Sequence, residues 1–244
     1  GADWRNGISW VFANGGELAT YDGSSWTSTL SDPKTIEGLK QWQDVYTGAS
    51  LLPTTTKDDA YWNFISTGEV SGADTAATII APGWAHWSIG VTAADGTKDD
   101  GSTKYTATWD DAKWGVFPLP GVDGGVAPVF AGGSNMGISA ASKHPELAKN
   151  LLRIIFSADF QKMMGGAGLG PGNTEYASSL GDDEFAKALI ASAKDAKLTP
   201  AAPGWASLEA NNVYDELFQK ISEGGDVTAL AAEYDAIITP QLNG

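Results

Sequence analysis

Apolar residues recur at helical spacing in two well-defined parts of the chain. Asp32 and Pro33 form a typical helix start, because Asp can accept a backbone N–H and Pro fits the first turn. The apolar residues that follow are three or four positions apart, which predicts a helix over residues 32–48. A second helix is predicted from Pro145 to Phe156, with one apolar stripe along it: Leu147, Leu151, Leu152, Ile155 and Phe156. Further helices are predicted over residues 157–164, 182–196, 205–222 and 226–238.

Short apolar runs between these helices predict strands. Residues 76–81 have the pattern of a buried strand, and residues 114–119 have that of an alternating strand ended by prolines. Residues 95–111, rich in Asp, Gly, Thr and Lys, predict an exposed loop. Residues 8–12 fit a helix or a strand, and residues 59–67 fit a short helix. Strands mixed with helices, and a helical C-terminal third, predict the α/β class.

The charge balance excludes several classes of partner. The chain has 244 residues with 30 acidic and 15 basic side chains, a formal net charge of −15. Nucleic acid and anionic membrane surfaces are bound by clustered Lys and Arg, so neither is expected as a partner. The chain has no cysteine, which excludes disulfides, thiolate catalysis and Cys-based metal sites.

Histidine chemistry has little support in the sequence. The two histidines, His86 and His144, lie far apart and show no metal-binding spacing. His144 precedes a predicted helix and is expected at the surface, whereas His86 beside Trp87 is open between a ligand-facing and a packed role. The glycine-rich loop at residues 165–172 lacks the features of a phosphate-binding loop. We therefore expect no catalytic residues, no metal site and no cofactor.

Tryptophan is the residue type that points to function. The chain has 10 Trp. Trp84 and Trp87 follow the predicted strand at residues 76–81, and Trp205 stands at a predicted helix start after Pro203. Such positions often carry ligand groups on a rigid support, and flat Trp faces stack on sugar rings. The alternative is that these rings fill the core.

A series of short glycine, proline and aromatic motifs runs through the chain in order. They are Asn14-Gly15-Gly16-Glu17-Leu18, Ser31-Asp32-Pro33, Phe64-Ile65-Ser66-Thr67-Gly68, Gly83-Trp84, Trp114-Gly115-Val116-Phe117-Pro118-Leu119-Pro120, Gly132-Gly133-Ser134-Asn135, Ile138-Ser139, residues 148–156 and Gly170-Pro171. Each motif alone is weak. Their order and spacing over nearly the whole chain resemble the extracellular solute-binding proteins of bacterial ABC importers, in the carbohydrate class that includes maltose-binding protein.

The resemblance implies a type II periplasmic-binding-protein-like α/β fold, in which two lobes enclose a ligand cleft. Residues 1–127 and 177–244 would form lobe two, and residues 128–176 would be the crossing strand and helices of lobe one. Family members are longer, so we expect a fragment that lacks the N-terminal part. The apolar face around Leu151, Leu152 and Ile155 would then need cover from elsewhere.

The resemblance also implies a set of ligand-binding residues. Trp84 matches a Trp that stacks on sugar, and Trp205 lies where the family offers another ligand aromatic. Gly132, Gly133 and Ser134 match a crossing loop that touches ligand through its backbone. Trp10 and Arg5 match a stretch that often lines the cleft, though more loosely, and His86 completes the candidate set.

The function that the resemblance implies is binding without catalysis. A sugar or oligosaccharide would be held between the lobes and delivered to the transmembrane permease subunits of an ABC importer. The full-length protein would be extracellular, as a cell-surface lipoprotein or a periplasmic protein. One alternative is a glycoside-acting enzyme, which needs two carboxylates about 5 to 10 Å apart across the sugar. Another is a carbohydrate-binding surface module. A structural or adhesive surface module would be favoured if Trp84, Trp87 and Trp205 are wholly buried.

Overall fold

The structure, a computed structural model, describes residues 1–57, 77–83, 85, 89, 91–97, 99, 101, 103–109, 112, 114–133 and 135–244. The helices are α1 (Trp4–Ala13), α2 (Pro33–Gly48), α3 (Pro145–Ile155), α4 (Ala158–Gly166), α5 (Glu184–Lys194), α6 (Trp205–Ala210), α7 (Val213–Ser222) and α8 (Val227–Leu242), with a 3₁₀ helix at Thr174–Leu180. The strands form two antiparallel hairpins, β1 (Ala19–Tyr21) with β2 (Trp26–Ser28) and β3 (Val91–Thr97) with β4 (Thr103–Thr108).

The main core lies where α1, α2, α7 and α8 meet. Its largest fully buried side chains come from both ends of the sequence: Trp4, Ile8, Leu18, Leu30, Leu39, Leu208, Tyr214, Leu217, Phe218, Ile221, Tyr234 and Ile238. The Asp235 carboxylate of α8 accepts from the N–H groups of Leu30 and Ser31 at 2.8 and 2.9 Å, just before α2. The C-terminal helix therefore completes a unit that the first 50 residues begin.

Two glycines let α1 approach its neighbours closely. A Cβ on Gly38 in α2 would lie 2.6 Å from the Trp10 carbonyl oxygen and the Val11 Cα of α1. A Cβ on Gly7 in α1 would lie 2.3 Å from the Phe218 ring of α7. Because both contacts are shorter than real Cβ contacts, the helices can pack this closely only with glycine at these positions.

The predicted helices are largely confirmed. Asp32 caps α2 by accepting from the Lys34 N–H at 2.9 Å, with Pro33 in the first turn. The helix predicted over residues 205–222 is instead two helices, α6 and α7. Asn212 adopts a left-handed φ of 57° between them, a conformation that a continuous helix excludes.

Two strand predictions are wrong, and one segment predicted as a loop contains strands. Residues 77–81 and 114–119 have irregular backbone, and Pro118 in the second segment removes a donor that a sheet would need. Residues 95–111, predicted as a loop, include parts of the β3–β4 hairpin, in which Val91 pairs with Thr108 and Ala94 with Tyr105. The Thr-rich run of β4 favoured this strand over its charged surroundings. The helix predicted at residues 59–67 lies outside the described residues.

The apolar stripe of α3 is uncovered. Leu147, Leu151 and Phe156 of this stripe are 69%, 55% and 53% exposed, Leu152 and Ile155 are half-buried, and α3 contains no buried residue. The helix contacts α4, and α4 contacts the 3₁₀ helix. The sequence-based expectation that this face needs cover from elsewhere therefore agrees with its exposure.

Substituting one leucine in the core and one in the apolar stripe of α3 should change the free energy of unfolding by different amounts. We expect Leu217→Ala, at a site with 0% exposure, to lower the free energy of unfolding by about 2–5 kcal/mol. Leu151→Ala should change it by no more than about 0.5 kcal/mol. Urea unfolding followed by circular dichroism measures both, and equal costs would mean that the α3 face is covered in solution.

A pair of glycine variants in α2 tests the α1–α2 contact. Gly38→Ala should destabilise the protein by about 1–3 kcal/mol, because the α1 backbone must move away. Gly48→Ala is the matched control, because its Cβ would meet nothing within 4 Å. We expect the control to be neutral or stabilising by about 0.5 kcal/mol, and a neutral Gly38→Ala would contradict the packing described.

Candidate functional site

Four aromatic rings from distant parts of the sequence meet at one end of α1. The Trp4 ring lies 5.5 Å from Phe130, 5.6 Å from Trp205 and 6.0 Å from Tyr214, and Trp205 lies 5.0 Å from Tyr214. We call these four residues the aromatic cluster. Trp4 and Tyr214 are each 1% exposed, whereas Trp205 is only half-buried. The buried rings of Trp4 and Tyr214 therefore pack against Trp205, which remains partly exposed.

The position of Trp205 is fixed by the helix it begins. Gly204 precedes α6 and donates its N–H to the Leu242 carbonyl at 3.0 Å, at the end of α8. A Cβ on Gly204 would lie 1.7 Å from the Gln241 carbonyl oxygen, so only glycine fits there. The start of α6 is thus pressed against α8, and Trp205 has little freedom to shift.

Arg5 joins the cluster from the first turn of α1. Its guanidinium lies 4.8 Å from the centre of the Trp4 ring and forms an ion pair with Glu209 of α6. Glu209 follows Trp205 by four residues, so the two lie on the same face of α6. Asp3 caps α1 by accepting from the Arg5 N–H at 3.1 Å, which fixes where the arginine leaves the backbone.

The segment around Phe130 crosses the same region. The Phe130 N–H donates to the Ser9 hydroxyl at 3.3 Å, and the Ala131 N–H donates to the Lys197 carbonyl at 2.8 Å. Gly132 and Gly133 follow directly and are exposed. A Cβ on Gly133 would meet nothing within 4 Å, so its backbone is open to solvent beside the aromatic cluster.

Each of three cations near the cluster has a carboxylate partner. Arg5 pairs with Glu209, while Lys57 lies 3.1 Å from the Asp215 carboxylate and 2.6 Å from the Asn212 side-chain oxygen. Lys197 lies 3.5 Å from Glu17. The polar surroundings of the cluster are therefore rich in hydrogen-bonding groups, with the positive charges of these three residues compensated.

Comparison with known proteins places this geometry in a known fold. The structure matches a cyclo/maltodextrin-binding protein complexed with maltotetraose, with a TM-score of 0.68 and 18% identity over 98% of this chain. It also matches the maltose-maltodextrin binding protein of Alicyclobacillus acidocaldarius, with a TM-score of 0.69 and 14% identity over 100% of this chain. The chain has the maltose-binding-protein fold. The type II periplasmic-binding-protein-like fold inferred from the sequence is confirmed.

A sequence relative supports the same resemblance. The diacetylchitobiose binding protein DasA of Streptomyces coelicolor is 28% identical over 212 residues, 86% of this chain. No family model matches the chain. The chain spans about half the length of the proteins that it matches: 45% of DasA, and 57% and 60% of the two structural relatives. The resemblance to the carbohydrate class of solute-binding proteins is thereby confirmed.

The structure brings some of the predicted site residues together on this maltose-binding-protein fold. Trp205 and Arg5 both contact Trp4, and Gly132 and Gly133 follow the ring of Phe130. Trp10 instead packs its ring 5.1 Å from Trp42 of α2, almost two helical turns from Trp4. Trp84, His86 and Ser134, with the neighbouring Trp87, lie outside the described residues.

Sequence reasoning missed Glu209, Phe130 and Tyr214. The helical spacing of Glu209 from Trp205 was a usable signal, because residues four apart share a helix face. Nothing local marked Phe130 or Tyr214, since their contacts with Trp4 span more than a hundred residues of sequence.

Of the aromatic cluster, only Phe130 and Trp205 are partly exposed, while Trp4 and Tyr214 are buried. Two surface depressions, of about 480 and 430 Å³, lie elsewhere: between the end of α7 and α8, and along the exposed face of α3. Within the described part of the chain, no three His, Asp or Glu residues group as metal ligands. No helix among those residues has the length and apolar character needed to cross a bilayer.

Several polar atoms around the cluster are buried without a hydrogen-bond partner. They include the Trp4 Nε1, the Tyr214 hydroxyl and the Asp215 Oδ1. Burial, assisted by the negative charge of Asp235, raises the pKa of Tyr214 well above its usual range. The neutral phenol is therefore favoured in the folded protein, although its hydroxyl gains no bond.

Tyr214→Phe should leave the fold intact and change its response to alkali. At neutral pH we expect the variant to be neutral or more stable by about 1 kcal/mol, because it removes an unsatisfied buried hydroxyl. The raised pKa of Tyr214 contributes stability below the unfolded pKa of about 10, and this is lost as pH rises through the folded pKa. The variant should therefore lose less stability than wild type between pH 9 and pH 11.5.

Urea unfolding at several pH values measures this difference. The variant should still lose some stability at alkaline pH, because burial also raises the pKa of Tyr46 to about 12. Tyr21→Phe is the matched control, since it removes the same hydroxyl from a ring that is 54% exposed. A strongly destabilised Tyr214→Phe protein would show that the hydroxyl is bonded in solution.

Proposed function

We propose that this chain is part of a solute-binding protein that holds a sugar or oligosaccharide and delivers it to the permease of an ABC importer. The observation that carries this proposal is the half-buried Trp205 ring, held by its packing beside the Arg5–Glu209 ion pair, on a maltose-binding-protein fold. The names of the relatives agree with it, because DasA is a diacetylchitobiose binding protein and one structural match holds maltotetraose.

The chemistry of these side chains suits a sugar. The Trp205 ring would offer a flat apolar surface on which the C–H face of a pyranose can stack. Arg5 is a hydrogen-bond donor and Glu209 is an acceptor, and a sugar hydroxyl can engage both kinds of group. Because packing and the ion pair already fix these side chains, little further ordering is needed when the ligand binds.

The proposed lobes follow the contacts of the chain. Residues 1–127 and 177–244 would build lobe two, which is supported by the shared core of α1, α2, α7 and α8. Residues 128–176 would cross to lobe one, which is supported by the exposed stripe of α3. The ligand would lie between the lobes, and closure around it would present both lobe faces to the permease.

The other predicted contacts complete this proposal. Trp84 would stack on the sugar, Gly132, Gly133 and Ser134 would offer backbone groups, and His86 would line the cleft. Trp10, which packs against Trp42, is left out of the proposed site. The protein would act without catalysis, cofactor or metal, outside the cytoplasmic membrane as a periplasmic or lipid-anchored protein.

Removing the Trp205 ring tests the proposal. We expect Trp205→Ala to weaken sugar binding at least about tenfold, because one ring–sugar stack is lost. Titration calorimetry with diacetylchitobiose and maltotetraose measures the affinity, and circular dichroism shows whether the variant is folded. Tyr21→Ala is the control, because it removes an aromatic ring that is 54% exposed on the β1–β2 hairpin.

Three outcomes can be told apart. Loss of affinity in Trp205→Ala but not in Tyr21→Ala supports the site. Equal affinity in both variants and wild type places the sugar elsewhere. If wild type binds neither sugar at millimolar concentration, the proposed function is wrong for this chain.

A further inference from the structure

We propose that the Arg5–Glu209 ion pair makes the site select uncharged sugars over acidic ones, with Glu209 as the residue that sets this selectivity. The inference rests on the proposed function, because it concerns the ligand class of the same site. It goes beyond that function by assigning a role to Glu209 and by naming a class of sugars that the site rejects.

The first step is the placement of Glu209. It lies one helical turn after Trp205 on the same face of α6, and it bonds the guanidinium that stacks over Trp4. A sugar ring on Trp205 would therefore meet the ion pair at its edge. The side chains of Arg5 and Glu209 are 31% and 40% exposed, so both are accessible to a ligand.

The second step is the charge that such a ligand would meet. An arginine with no carboxylate partner is a strong site for an anionic ligand, because its planar donors match a carboxylate. Here Glu209 already supplies that carboxylate. A sugar acid would have to displace Glu209 or lie against its negative charge, whereas a hydroxyl group can bond to the pair without separating it.

The third step concerns the other charges around the site. Lys57 and Lys197, the other cations described near the aromatic cluster, pair with Asp215 and Glu17. The formal net charge of −15 adds repulsion of anions, although salt screens it beyond about 8 Å. No positive charge among these three residues is left uncompensated for an acidic sugar, and the selectivity therefore depends on Glu209 staying ionised beside Arg5.

The test compares Glu209→Gln with wild type on matched disaccharides. The uncharged probe is glucosyl-N-acetylglucosamine, and the acidic probe is glucuronosyl-N-acetylglucosamine, which differs from it only by a carboxylate in place of the C6 hydroxymethyl group. Calorimetry gives both affinities at low and moderate salt. Glu146→Gln is the control, because it makes the same charge change on the exposed pair with Lys149 in α3.

We expect wild type and Glu146→Gln to bind the uncharged sugar more tightly than the acidic one. In Glu209→Gln the ratio of the two affinities should move toward the acidic sugar by about fivefold, as for a partly exposed charge interaction. The gain in affinity for the acidic sugar should shrink as salt is added. If Glu209 had a purely structural role, Glu209→Gln would lower the affinity for both sugars equally and leave the salt dependence of binding unchanged.

The outcomes separate this inference from the function on which it rests. If wild type binds the uncharged sugar but the ratio in Glu209→Gln is unchanged, the selectivity role is wrong and the sugar-binding function stands. Tighter binding of the acidic sugar by wild type also overturns the inference. If wild type binds neither sugar, both proposals are wrong.

Discussion

The burial of Trp4 is the contact on which the rest of this structure depends. Its ring packs against Phe130, Trp205 and Tyr214 and carries the guanidinium of Arg5 on one face. These partners come from the segment around Phe130, from α6 and from α7, which are far apart in the sequence. One side chain therefore fixes the relative positions of the elements that form both the core and the candidate site.

Burial of apolar surface contributes more to the free energy of this contact than hydrogen bonding does. A buried tryptophan removes about 150–250 Å² from water, which stabilises the fold by about 4–6 kcal/mol. The unpaired Trp4 Nε1 and Tyr214 hydroxyl each cost about 1–3 kcal/mol. Apolar burial offsets these costs, and aromatic packing rather than a polar network is what holds the cluster together.

Sequence patterns predicted the parts of the fold that are locally determined. The start of α2 follows from Asp32 and Pro33, and the stripe of α3 follows from its helical spacing. The strand predictions at residues 76–81 and 114–119 failed, because a short apolar run does not determine whether strand partners exist. Glu209 was overlooked although its helical spacing from Trp205 was a local signal, because its ion pair does not follow from local sequence. Its partner Arg5 lies 204 residues away, and only tertiary packing brings them together.

The same packing holds the side chains of the candidate site in place although the site is not enclosed. Gly204 packs against the end of α8, and the Trp205 ring packs against Trp4. These two contacts fix the orientation of the Trp205 ring. Arg5 is held by Glu209 and by the same Trp4 ring. A flat ring and a compensated charge pair are thus fixed side by side before any ligand arrives. Changes at Trp4 would disturb core and site together, whereas changes at Glu209 alter the charge of the site and leave the buried rings in place.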